Sequence, residues 1–132
     1  MLSLPNLDAM NAVLAQPMEP VLHELLSDRV ADAIACGYEH RTHIIICEPG
    51  DTEADFLREA AFSPLRNTLS GWRYGDACFQ PQWDWAARHD GWFEWLACIG
   101  KDGFAFIILV PDSEDIDSTL LAMLREHVLV GP

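Results

Sequence analysis

The segment from residue 92 to residue 111 limits the possible folds most strongly, because two apolar, aromatic-rich runs flank a short connection with glycine at both ends. This pattern predicts a β-hairpin with strands at 92–99 and 103–111, since glycine readily adopts the positive φ angles of short connections. Apolar residues occupy both alternating sets of the second strand, and Glu94 alone interrupts the first. A sheet that is apolar on both faces has to be covered on both.

The segments before the hairpin show helical and strand periodicity in turn. Residues 6–15 and 20–36 repeat apolar side chains at helical spacing, with proline or glycine at their boundaries. The β-branched run within 40–47 predicts a buried strand, which a Pro-Gly pair terminates. A third helix is predicted to follow, with Asp51 or Thr52 as its N-cap.

The order of these elements, together with a last helix predicted at 116–128, sets the fold class. It predicts an α+β fold whose small sheet of about three strands contains the C-terminal hairpin, with helices packed mainly on one face. A length of 132 residues, of which 50% are hydrophobic, predicts a single globular domain over 1–132. Three strands with two apolar faces leave surface to cover, so homodimerisation through a face or a strand edge is an open alternative.

The charge balance narrows the class of partner. Lys and Arg number 8 against 21 Asp and Glu, which gives a formal net charge of −13. Direct binding of nucleic acid is disfavoured, because it depends on clustered cations. The first 20 residues lack the basic start and long apolar run of a secretory signal, and no apolar run is long enough to predict a membrane span. Four cysteines without a close pair are typical of a reducing compartment, so we expect a cytoplasmic protein.

The most unusual feature of the chain is its distribution of aromatic residues. Residues 72–95 hold eight of the 13 aromatic residues and all five tryptophans. The periodicity fails between residues 63 and 90, which predicts a long irregular connection. Its rings can cover the sheet, or they can stay accessible as anchors for a partner, because Trp, Tyr and Arg dominate interface energetics. The candidate binding residues are Trp72, Arg73, Tyr74, Trp83, Trp85 and Arg88.

Signatures of catalysis or metal binding are weak in this sequence. It contains no G-x-S-x-G element, no Gly-rich phosphate loop and no closely spaced ligand pair of the zinc type, so we expect neither a metal nor a cofactor. Glu94 is the residue with the best case for acid chemistry, in the event that its strand lies beside His43 and Glu48. The simpler expectation is that Glu94 faces solvent or pairs with Arg73 or Arg88.

Three functions follow from these observations, in decreasing order of support. The first is a non-enzymatic, acidic protein that binds another protein through residues 72–95. The second is an inhibitor whose carboxylates imitate nucleic acid and occupy a basic groove on a nuclease or DNA-binding protein. The third is a small enzyme or ligand-binding domain around Glu94 and His43. The salt dependence of partner binding distinguishes the first function from the second, because binding through carboxylates weakens steeply as ionic strength rises.

Overall fold

The computed structural model describes residues 1–61, 81–99 and 104–117, and these form three helices and five strands. The three helices predicted before residue 63, the buried strand and the hairpin are all present. The last predicted helix and the hairpin connection at 100–103 lie outside the described residues, apart from the first two positions of that helix. The elements in chain order are β1 (Leu2–Leu4), α1 (Leu7–Leu14), α2 (Pro20–Ala35), β2 (Thr42–Ile46), α3 (Glu53–Ala61), β3 (Pro81–His89), β4 (Trp92–Ile99) and β5 (Phe104–Pro111).

The strands form one mixed sheet in the order β1-β2-β5-β4-β3. β2 and β5 are parallel, and the other neighbours are antiparallel. The predicted hairpin is confirmed, since β4 and β5 pair from Trp92 with Pro111 to Ile99 with Phe104. The α+β class is therefore correct, whereas the prediction of about three strands is wrong.

The two additional strands are β1 and β3, and there is a physical reason why the sequence did not predict either of them. β1 has three residues, which is too short to show a period of two. β3 lies within the stretch that predicted an irregular connection, and it begins at Pro81. Proline is tolerated at the first residue of an edge strand, because its missing N–H costs no ladder hydrogen bond there. Pairing with β4 from Pro81 to His89, with a shift of register between Pro81 and Trp83, makes this segment a strand.

Side chains at the helix starts fix where the helices begin. The Asn6 carboxamide oxygen accepts from the N–H of Ala9 at 2.8 Å at the start of α1. α3 begins with a reciprocal pair in which Thr52 Oγ1 accepts from the N–H of Asp55, and the Asp55 carboxylate accepts from the N–H of Thr52. Of the two predicted caps for α3, the structure therefore selects Thr52.

Buried side chains cover both faces of the central strands, as the apolar hairpin predicted. On one face, α1 and α2 pack against the sheet through Met10, Leu26 and Leu109. On the opposite face Phe106 and Ile108 of β5 are 1% and 0% exposed. The remaining members of the core cluster under α1 and α2 are Leu4, Leu25, Val30, Ile44, Ile46 and Ile107.

Candidate functional site

The structure describes half of the predicted binding residues. Trp72, Arg73 and Tyr74 lie outside the described residues. The backbones of Trp83 and Trp85 belong to β3 and pair with Cys98 and Leu96 of β4. β3 therefore contains three of the predicted binding residues, Trp83, Trp85 and Arg88.

Arg88 lies near the end of β3 and is the predicted binding residue whose side chain is described. The side chain is 69% exposed, and its Nε lies 3.7 Å from the Asp112 carboxylate. The guanidinium carbon also lies 4.6 Å from the centroid of the Phe93 ring. An exposed pair at this distance contributes little to stability, so the guanidinium can exchange Asp112 for a partner's carboxylate.

β3 forms one edge of the sheet. Among the described strands it pairs with β4 alone, and it extends over nine residues. Such an edge presents N–H and C=O groups that are not used inside the sheet, and another chain can pair with them. The opposite edge is the three-residue β1. β3 is thus the longer of the two edges, and it lies inside the aromatic segment.

An open groove of about 410 Å³ lies at the end of the β4 and β5 pair where Trp92 meets Pro111. It is bounded by β1, by the segment that follows β2, by the connection between α1 and α2, and by the first turn of α2. The walls are mainly apolar, with polar groups from Gln16 and Glu48. The main apolar side chains are Leu2, Val13, Met18, Leu22, Ile46 and Trp92.

A hydrogen bond ties one wall of this groove to α2. Trp92 Nε1 donates to Glu19 Oε2 at 3.1 Å. The same carboxylate caps α2, because it accepts from the N–H groups of Val21 and Leu22 at 3.0 and 2.9 Å. The N–H of Leu22, followed by that of Val21, holds the pKa of Glu19 below its usual value. The indole edge of Trp92 is therefore fixed next to an exposed, ionised carboxylate.

Glu94 lies two residues along β4 from Trp92, and the expectation that it faces solvent is wrong. Its side chain is 0% exposed. One carboxylate oxygen, Oε2, lies 3.1 Å from Arg29 Nε, and the other, Oε1, lies 2.9 Å from His89 Nε2. Arg88 pairs with Asp112 instead, and Arg73 lies outside the described residues. The buried carboxylate forms an ion pair with a cation from α2 and a hydrogen bond with an imidazole from β3.

Sequence analysis missed Arg29, although α2 carried a signal for it. Arg29 is the single Lys or Arg in that helix, and it lies three and four residues after Leu26 and Leu25. This spacing places it on the same side of the helix as the two leucines, which are buried against the sheet. A lone cation on the buried side of a helix indicates a buried acid on the surface it contacts.

His43 lies on the opposite face of the sheet from Glu94. Glu94 is in register with Leu109, which is in register with Ile46, and these three share a face. His43 precedes Ile46 by three residues, so alternation along β2 puts it on the other face. The two side chains therefore share no pocket, because the sheet separates them.

The surroundings of His43 disfavour a charged imidazole. The residue is 0% exposed, and its Nε2 forms a hydrogen bond of 2.6 Å with Ser3 Oγ. The ring centroid lies 5.2 Å from that of Phe106. Burial lowers the pKa of His43 from 6.5 to about 4. The imidazole is thus neutral at pH 7 and belongs to the core.

Two further classes of site receive no support from the described residues. Burial raises the pKa of the Cys47 thiol to about 12, so it is not a nucleophile at neutral pH. Within residues 1–61, 81–99 and 104–117, no three His, Cys, Asp or Glu side chains group closely enough to bind a metal ion.

In that same part of the chain, none of the helices has the length and apolar character that a membrane crossing requires.

Comparison with models of protein families, with curated proteins and with solved structures found no match for this chain.

Proposed function

We propose that this protein acts by binding another protein through the aromatic segment 72–95, with the edge strand β3 as the contact. The observation that carries the proposal is the position of β3, a nine-residue strand at the edge of the sheet and inside this segment. An extended segment of a partner can add to such an edge by main-chain hydrogen bonds, and side chains then give specificity.

The residue types along β3 support this role. Trp83 and Trp85 belong to the strand, and the exposed Arg88 lies one residue before its end at His89, next to the turn that leads to β4. Tryptophan and arginine are the residues most enriched among those that dominate binding energy. The turn at Asp90 and Gly91 is exposed, so the end of the edge is open to solvent.

A capture experiment with two matched variants tests the proposal. The tagged full chain is used to capture partners from a lysate of its own source, at low and at high salt. The Trp83→Ala/Trp85→Ala variant changes β3, and the Glu24→Gln/Asp28→Asn variant removes exposed carboxylates of α2. Both are first compared with the parent by thermal unfolding. We expect one partner to remain bound to the parent at high salt. The tryptophan variant should fail to capture this partner, and the carboxylate variant should still capture it.

Amide hydrogen exchange on the captured complex then locates the contact. We expect amides of residues 81–89 to gain protection, since an added strand uses the open N–H groups of the edge. Protection confined to α2 would contradict the proposal. Capture that disappears at high salt and in the Glu24→Gln/Asp28→Asn variant would instead favour the imitation of nucleic acid by carboxylates.

Self-association through the same edge is a distinct outcome of this design. Sedimentation of the purified chain at low and high salt detects it, and the Trp83→Ala/Trp85→Ala variant shows whether β3 is responsible. The charge of −13 on each copy opposes dimerisation at low salt. A dimer that strengthens with salt and is lost in this variant would identify the partner as a second copy.

A further inference from the structure

The groove beside Trp92 is a second surface, separate from β3. We propose that it binds a basic peptide segment of a partner protein, in which an apolar side chain lies next to a lysine or arginine. The inference uses the groove and the charges around it, and it does not depend on β3 as a contact.

The groove has the size and lining of a binding site for an apolar side chain. Its volume of about 410 Å³ lies within the range of about 300 to 1,000 Å³ that is usual for ligand pockets. Leu2, which forms one wall, is 39% exposed, and Met18, Leu22 and Trp92 are partly exposed. An apolar side chain placed here removes these surfaces from water, which is favourable.

The charges around the groove select the occupant. The Glu48 side chain lines the groove and is 69% exposed, and the Glu19 carboxylate is bonded to the Trp92 indole. The Met1 ammonium lies nearer to Asp51, at 3.0 Å, than to Glu48, at 3.7 Å. Because the Glu48 side chain is 69% exposed, it keeps an open side toward solvent with the Met1 ammonium nearby. A cation next to the apolar anchor would meet the Glu48 carboxylate of the lining, and the Glu19 carboxylate lies beside the groove at Trp92.

The same charges disfavour the other occupants. A second copy of this chain brings a further −13, and a nucleic acid or an anionic membrane surface is likewise negative. An acidic peptide would place its carboxylates against Glu19 and Glu48. A basic segment is the macromolecular ligand that gains from both the apolar walls and the charge.

Three fluorescently labelled octapeptides test the proposal with the full chain. One alternates leucine with lysine, the second alternates serine with lysine, and the third alternates leucine with glutamate. Fluorescence anisotropy gives the dissociation constant of each. We expect the leucine and lysine peptide to bind at least about tenfold more tightly than either control, because each control lacks one of the two complementary features.

Methyl NMR shows where the peptide binds. Met18 lines the groove, whereas Met10 is 1% exposed in the core, so methyl-labelled methionine provides a reporter and an internal control. We expect the Met18 signal to move on addition of the peptide and the Met10 signal to move much less. An unmoved Met18 signal at saturating peptide would overturn the proposal.

Two variants with matched controls separate the apolar and the charged contributions. Leu2→Ser removes part of an apolar wall, and Ile34→Ser changes another exposed hydrophobic residue that is outside the groove lining. Glu48→Gln removes a groove carboxylate, and Glu24→Gln removes an exposed carboxylate of α2. We expect Leu2→Ser and Glu48→Gln each to weaken binding by about threefold or more, and the two controls to change it by less than about twofold. Glu48→Gln keeps the test valid if Leu2→Ser fails to fold, because Glu48 is a surface residue.

Several outcomes would contradict the groove as a basic-peptide site. Equal binding of the serine and lysine peptide would show general attraction to an acidic surface. Equal binding of the leucine and glutamate peptide would show that the occupant is not basic. The Trp83→Ala/Trp85→Ala variant should bind the leucine and lysine peptide as the parent does. If this variant loses partner capture but still binds the peptide, the groove is supported independently of β3. If the parent captures a partner through β3 but does not bind the peptide, the groove alone is rejected.

Discussion

The carboxylate of Glu94 is fully buried, and each of its oxygens has a different partner, Arg29 or His89. Removing the Arg29 guanidinium leaves the buried carboxylate with His89 as its remaining partner. Replacing the carboxylate removes the buried charge and leaves a polar amide. We expect Arg29→Met to lower the free energy of unfolding by about 3 kcal/mol. Glu94→Gln should lower it by about 1 kcal/mol, because the amide keeps part of the hydrogen bonding. Urea unfolding at pH 7 measures both.

The double variant Arg29→Met/Glu94→Gln provides the control for this pair. Residues in direct contact show a coupling free energy, so the double variant should be less destabilised than the sum of the single variants. Additive effects would show that the Arg29 side chain does not stabilise the buried carboxylate.

His43 makes the stability depend on pH in a definite direction. Its pKa is 6.5 in the unfolded chain and about 4 in the folded protein. Above pH 6.5 both states are neutral at this residue, and its titration contributes nothing. Between pH 6.5 and about 4 the unfolded chain takes up a proton that the folded protein does not, so stability falls as the pH falls. The loss attributable to His43 reaches about 3 kcal/mol.

The His43→Leu variant isolates this contribution from that of the carboxylates. Urea midpoints are measured for the parent and the variant from pH 7 down to pH 4. We expect the stability difference between the two proteins to shift in favour of the variant as the pH falls. A constant difference over this range would mean that the imidazole titrates alike in the folded and unfolded states.

At the scale of elements, the start of α3 depends on the reciprocal pair between Thr52 and Asp55. We expect Thr52→Ala to lower the free energy of unfolding by about 1 kcal/mol, because the helix loses a side-chain acceptor for one of its first N–H groups. Thr52→Ser keeps the hydroxyl and should stay close to the parent. The comparison uses urea unfolding at constant pH, and equal losses for both variants would point to the threonine methyl group instead of the cap.

The elements that could be predicted are those whose signals are local. α2 shows apolar spacing over 16 residues with proline at its start, and β4 and β5 are adjacent in the chain and apolar apart from Glu94. β3 was missed because its identity as a strand depends on pairing with β4, while Pro81 and the mixed polarity of 81–89 suggested a loop. The partners of Glu94 come from α2 and from the end of β3, so strand periodicity alone could not assign them.

At the scale of the whole molecule, the charge of −13 acts on stability as well as on partner choice. Repulsion among like charges is larger in the compact folded protein than in the expanded chain, and salt screens it. We expect the thermal midpoint to rise as sodium chloride is increased from about 0.02 M to about 0.5 M, over which the screening length shortens severalfold. A falling midpoint would show that exposed ion pairs such as Arg88 with Asp112, which salt weakens, outweigh the overall repulsion.

The position of β5 has a consequence for how the chain reaches its folded state. β5 lies in the middle of the sheet, between β2 and β4, yet it follows all the other described strands in the sequence. β1 and β2 therefore remain an incomplete pair until residues 104–111 have left the ribosome. Strands β3, β4 and β5 can assemble with one another as neighbours in sequence, and their docking onto β2 closes the sheet over more than 50 residues of intervening chain. This long-range parallel pairing predicts slow folding, with a late step that any truncation before residue 104 would abolish.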